Sequence, residues 1–174
     1  MRVVIADDPS AASALLDDAI EDLAEGLAEL RELARGIHPA VLMEGGLEPA
    51  LRGLVRRSSV PARLLSAPAG RLPQVVESAA YFVVAEALTN VTRHANAHHV
   101  HIGLTVDPQT AVLTLADDGR GVTAAELERP TSLGIVGIRE RALAVGGQVT
   151  ITGSAERGTT LIVRVPTTGE ALPR

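Results

Sequence analysis

The sequence predicts an α+β fold: a two-layer α/β sandwich whose mixed, mostly antiparallel sheet carries helices on one face. Three observations predict it. Apolar residues recur at helical spacing as far as about Ala95, the period changes to two from Val100 onward, and turn signals at Pro108 and across "SAERG" (154–158) join the later strands into hairpins.

The bulk properties fit one ordinary domain with an appended helix. The chain has 174 residues, 46% hydrophobic and 21% charged, with a net charge of −5. Aliphatic side chains must fill the core, because Tyr81 and Phe82 are the only aromatic residues. So few rings build no stacking platform, and the negative charge opposes a broad grip on nucleic acid, which is therefore not expected as a partner. The chain has no cysteine, so neither disulfides nor thiolate chemistry enter. It also shows no basic leader and no run of 18 or more apolar residues, so no membrane segment is expected and the reading is cytoplasmic.

The opening "MRVVIADD" (1–8) resembles the first strand of a phosphate-accepting receiver. A receiver also needs a later acceptor aspartate and a lysine, and this chain contains no lysine, so residues 1–8 are expected to be a receiver-like stub. From Ser10 to Gly36 the pattern is helical. Leu16, Ile20, Leu23, Leu27, Leu30, Ala34 and Ile37 alternate four and three apart, a heptad seam whose other faces carry mostly acids such as Asp17, Glu21, Glu25 and Glu29. That spacing predicts one strand of a dimerising bundle over residues 16–37, with a core-facing surface helix as the alternative. Gly36 and Pro39 stop it.

The next elements come in order. "GLEPALRGLVRRSS" (46–59) reads as a short helix and "VPARLLSA" (60–67) as a strand. Pro73 opens a long helix through Tyr81 to about Ala95. Val100, Ile102, Leu104 and Val106 alternate with polar or small residues to give a half-buried strand, and "TAVLTLAD" (110–117) forms its hairpin partner. A polar stretch from Arg120 to Ser132 leads to a helix from about Gly134 to Gly146-Gly147, followed by the strands "QVTITG" (148–153) and "TTLIVRVP" (159–166).

Three groups of residues suggest chemistry. Asn90 lies four residues after Glu86, and Arg93 and His94 lie three and four after Asn90, so on an α-helix they share one polar stripe. An amide oxygen there suits a magnesium ion that keeps several waters and takes its other ligands from phosphates. In "DDGRG" (117–121), Asp117 ends a strand. A buried carboxylate accepts hydrogen bonds only, which suits an exocyclic amino group such as that of adenine. An ordinary Asp-Gly turn explains the pentapeptide equally well. Gly134 and Gly137 flank a helix start, where free amide groups attract anions. The histidines His94, His98, His99 and His101 also raise a zinc site, but no nearby carboxylate or cysteine is expected to complete it, and they read as surface groups.

Taken together, "AEALTNVTRHANA" (85–97), "DDGRG", "SLGIVGIRERALAVGG" (132–147) and "RGTTLIVRVP" (157–166) resemble the asparagine box and glycine boxes of the ATP-binding fold shared by sensor histidine kinases, gyrase and MutL. The resemblance is nearest to the catalytic domain of two-component sensor kinases that partner NarL-type response regulators. It extends to "LAELRELARGIHPAVL", which is similar to the second dimerisation helix and its exit. The division it implies is a stub (1–8), a dimerisation-type helix and linker (9–45), an ATP-binding domain (46–168) and a tail (169–174).

The resemblance assigns roles residue by residue. Asn90 would hold Mg2+, Asp117 would accept from the adenine amino group with Thr159 in support, and Gly119 and Gly121 would admit the base. Gly134 and Gly137 would let the lid (121–134) and helix start fold over the phosphates. Arg93 and His94 would lie near those phosphates, and Glu86 is the general-base candidate. In the family the acceptor histidine is followed by an acidic residue, and none of the five histidines here is. Autophosphorylation of this chain is therefore not expected, and transfer to a histidine is expected only where another chain supplies the acceptor. An anti-sigma-factor-type serine kinase, and a non-catalytic ATP-binding or dimerisation module, are the alternatives.

Overall fold

The computed structural model divides the chain into Met1–His38 and Pro39–Arg174, and it describes residues 40–123, 126–127, 133–154 and 157–167, all of them in the second unit. The receiver-like opening and the heptad segment lie outside the described residues.

The elements of the second unit run α1 (Ala40–Gly45), α2 (Leu47–Arg57), β1 (Ala62–Ser66), α3 (Gln74–Asn90), a π-helical turn (Val91–Ala95), β2 (Val100–Val106), β3 (Thr110–Asp117), α4 (Leu133–Ala144), β4 (Gln148–Ser154) and β5 (Gly158–Pro166). The five strands form one sheet in the order β1-β2-β3-β5-β4, with β1 parallel to β2 and every other pair antiparallel. This is the mixed, mostly antiparallel α+β sheet that the periodicities predict.

The alternation is direct. Val100, Ile102 and Leu104 of β2, Ala111, Leu113 and Leu115 of β3, and Leu161, Val163 and Val165 of β5 are all buried. Register sets them side by side, with Ile102 opposite Leu115 and Leu113 opposite Val163. Helix α3 lays Val76, Ala80, Val83, Val84, Ala87 and Leu88 into the same core, the three-and-four spacing of a core-facing stripe. Each aliphatic side chain buried in this way contributes roughly 1.5–3 kcal/mol.

Two departures from the sequence reading have local causes. Residues 40–45 form a six-residue helix with Leu42 buried, although Pro39 and Gly45-Gly46 punctuate the segment as if it were linker. Helix α3 stops at Asn90, and the last turn to Ala95 is π-helical and closes on Asn96 in the left-handed conformation (φ 50°).

An ion pair fastens the segment before α3 to the first turn of that helix. The Glu77 carboxylate, 1% exposed, accepts from Arg71 Nε at 3.0 Å, Arg71 Nη2 at 2.9 Å and the Leu72 N–H at 3.0 Å. Removing a buried carboxylate's partner strands the charge, although here the arginine side chain is itself 56% exposed. Arg71→Ala is expected to cost about 2–3 kcal/mol, seen as a thermal midpoint lowered by roughly 5–10 °C in circular dichroism. An unchanged midpoint would show that the pair holds nothing.

Candidate functional site

A cavity of about 170 Å3 opens where the end of α3, the inner ends of β3, β4 and β5, the 120–122 segment and α4 meet. Its walls are mostly aliphatic, from Ala87, Val91, Leu115, Val122, Ile135, Ile138, Ile151 and Leu161. Polar groups enter at a few points: Asn90, His94, Asp117, Arg120, Glu126 and Thr159. An apolar pocket with few convergent polar groups is the usual form of a site for a flat organic ligand.

Asp117 is the last residue of β3, and the alternation that buries Leu113 and Leu115 carries it to the inner face. It is 6% exposed. Its Oδ1 accepts from the Gly119 N–H at 2.8 Å and from the Thr159 N–H at 3.3 Å. Among the described residues Oδ2 has no hydrogen bond, and no buried side-chain oxygen is left unpaired, so Oδ2 reaches the cavity. One oxygen is anchored by the fold and the other is presented as an acceptor.

The glycines around it serve the main chain. A Cβ on Gly119 would collide with the carbonyl of Ala95, one on Gly121 (φ 72°) with the backbone of Ser154, and one on Gly158 (φ 68°) with the carbonyl of Asp117. Main chain from residues 95, 154 and 158 therefore packs against the 117–121 segment that carries the carboxylate. Neighbouring main chain fills the space that Gly119 and Gly121 each keep open, and of the two Gly121 lines the cavity.

The polar stripe of the helix is split by the π turn. A π-helix turns through less than the about 100° per residue of an α-helix, so a residue four positions on stays near the same face while one three positions on falls short of it. Asn90 and His94 line the cavity, whereas Arg93 lines a separate groove with Leu54, Arg57, Thr89 and Thr92. An α-helical stripe would set Arg93 beside His94 near the ligand, and the structure takes it to the other side. Glu86 does not line the cavity, but Gly134 at the start of α4 abuts both it and Asn90: an added Cβ would strike Glu86 Oε1 and lie 2.8 Å from Asn90 Oδ1. A Cβ on Gly137 would meet only the tip of Arg141, 2.7 Å from its Nη1.

Residues 118–120 fasten the glycine segment to the helix end. Asp118 Oδ1 accepts from the N–H groups of His98 and His99 at 2.8 and 2.9 Å, and its Oδ2 lies 3.0 Å from His99 Nδ1 and 3.5 Å from His98 Nδ1. The His99 N–H above all holds this carboxyl below the usual carboxylate range. A carboxylate therefore does stand among the surface histidines, contrary to the sequence expectation, while no group of three or more acidic, histidine or cysteine residues among those described is arranged to hold a metal ion. Arg120 donates from its backbone N to Ala95 O and from Nε to His94 O, both at 2.8 Å.

Arg120 Nη2 also donates to Glu126 Oε1 at 2.8 Å. Glu126 Oε2 accepts from the N–H and the hydroxyl of Thr123, both at 2.8 Å, and the Glu126 N–H in turn donates to Thr123 Oγ1 at 3.3 Å. This is a capping box. The Arg120 guanidinium first, and then the Thr123 donors, push the Glu126 carboxyl down to about 2. Sequence reasoning misses Glu126 and Arg120 as site residues. The Thr123-x-x-Glu126 spacing is a readable signal for the first; nothing local signals that the second is stapled to the His94 carbonyl, 26 residues back.

Residues 75–169 match the family of histidine kinase-, DNA gyrase B- and HSP90-like ATPases. The chain is 29% identical over 167 residues to the signal transduction histidine-protein kinase/phosphatase DegS of Brevibacillus brevis, covering 89% of this chain and 43% of that one. It is 31% identical over 153 residues to the sensor histidine kinase NarS of Mycobacterium tuberculosis, covering 85% and 36%. It thus spans less than half the length of either relative. The fold is similar to the histidine kinase domain of the Erythrobacter litoralis EL346 blue-light activated kinase (TM-score 0.58, 19% identity, 69% and 58% covered) and to the Acinetobacter baumannii histidine kinase AdeS (TM-score 0.57, 16% identity, 92% and 85% covered).

Proposed function

Because the chain belongs to the family of histidine kinase-, DNA gyrase B- and HSP90-like ATPases, we propose that its cavity binds Mg-ATP and that the domain is the catalytic, ATP-binding part of a sensor histidine kinase in two-component signalling. The observation that carries this reading is Asp117. Its carboxylate is pinned through one oxygen by Gly119 and Thr159, and it offers the other to a cavity that also holds Asn90 and His94. The adenine amino group would donate to Oδ2, and the aliphatic walls would cover the ring faces.

Asn90, with Glu86 brought to the same spot by Gly134, offers hard oxygen donors in the small number that magnesium takes from protein. When bound, the ion would supply charge neutralisation along the phosphates. Glu86 would be the general base that takes the proton of an incoming imidazole, and His94 would lie near the phosphates. The γ-phosphoryl group would pass to a histidine nitrogen on another chain, leaving ADP. A NarL-type response regulator as the onward partner, dimerisation through residues 16–37 and a cytoplasmic location belong to the same reading.

The experiment is incubation with γ-labelled ATP, alone and with a separate acceptor-helix fragment. Label is expected only on the fragment. Acid-labile label on this chain alone would overturn the missing-acceptor reading, and bound ATP with label on neither would leave a non-catalytic binding module.

A further inference from the structure

We propose that Arg120 is a further nucleotide-binding residue: the cation that meets the anionic phosphate chain, held in place until then by Glu126. This rests on the nucleotide reading of the cavity. The sequence offers Arg93 and His94 as the basic groups for the phosphates, but the π turn sends Arg93 into another groove. Among the described residues, the arginine that lines the cavity is Arg120, together with Asn90 and His94.

Its geometry suits that task. Nε is committed to the His94 carbonyl and the backbone N to the Ala95 carbonyl, so the guanidinium is tethered at the helix end that also carries Asn90. Nη2 is committed to Glu126 alone, and Nη1 has no hydrogen bond among the described residues. A planar guanidinium with one edge anchored and the other free or exchangeable can take a phosphate oxygen without first losing side-chain freedom. Glu126 lines the same cavity and is the opposing charge. An incoming phosphate replaces it as the partner of Nη2, and the Thr123–Glu126 capping box, which closes without Arg120, survives the exchange.

Calorimetric titration of ATP and adenosine into wild type, Arg120→Ala, Arg120→Lys and Glu126→Gln separates a phosphate contact from a purely structural role. Arg120→Ala is expected to bind ATP about ten-fold more weakly with adenosine affinity unchanged. Arg120→Lys, which keeps the charge but cannot reproduce the His94 staple, should recover most of that loss. Glu126→Gln, which removes the competing charge, should bind ATP more tightly. Equal weakening of ATP and adenosine in Arg120→Ala, failure of lysine to rescue, or weaker ATP binding in Glu126→Gln would each overturn the assignment. If the wild type bound neither ligand, the nucleotide reading itself would fall, and this inference with it.

Discussion

Asp117→Asn is expected to weaken ATP binding on the order of 100-fold, about 3 kcal/mol, while leaving the fold intact. The asymmetry of the two carboxylate oxygens gives the reason. Oδ1 accepts from the Gly119 and Thr159 N–H groups, so an asparagine must place its own oxygen there and turn its NH2 toward the cavity. An acceptor facing the adenine amino group becomes a donor facing a donor, and both groups are left unpaired in an apolar pocket. Calorimetry reads the affinity and thermal denaturation the fold. Unchanged ATP affinity would count decisively against Asp117 as the adenine acceptor.

Gly121→Ala is expected to damage the domain itself. Gly121 has φ 72°, where a side chain costs about 1–2 kcal/mol, and its Cβ would lie 2.6 Å from the Ser154 carbonyl carbon and 2.7 Å from the Ser154 nitrogen. Those atoms belong to β4, which cannot move without unpairing from β5. The total should reach about 3–4 kcal/mol and lower the thermal midpoint by roughly 10 °C. Gly137→Ala is the control: the new Cβ meets only the tip of Arg141, a long side chain over the Phe82 ring that can shift by a few tenths of an ångström more readily than backbone, and alanine in a helix gains up to about 1 kcal/mol over glycine. Equal effects of the two substitutions would show that backbone convergence around Asp117 does not govern stability.

The parts of this molecule that sequence alone conveys are those governed by local periodicity. Alternation in "HVHIGLTV" and "TAVLTLAD" predicts two strands and their hairpin, and it correctly turns Val100, Ile102 and Leu104 inward. The same logic puts Asp117 at the inner end of β3. What local pattern cannot convey is where distant backbone passes. "VTRHA" carries no signal to leave α for π, so the sides taken by Arg93 and His94 are invisible until the Arg120 donors are seen at the His94 and Ala95 carbonyls. Glycines in "DDGRG" announce that something comes close. Only the fold shows that it is the main chain of residues 95 and 154. Helix α1 is hidden for a different reason: at six residues, ending in glycine, it depends on burying Leu42 rather than on propensity.

The aliphatic core has an optical consequence. Tyr81 and Phe82, edge-to-face with ring centroids 5.5 Å apart, sit on α3, the helix that also carries Glu86 and Asn90. With no tryptophan and a single tyrosine in the chain, nearly all of its near-ultraviolet absorption and emission originates at that one ring. Adenine absorbance would therefore dominate any spectrum of a complex, and tyrosine emission becomes a single-site reporter on the helix beside the proposed metal ligand, with no second fluorophore to confuse the signal.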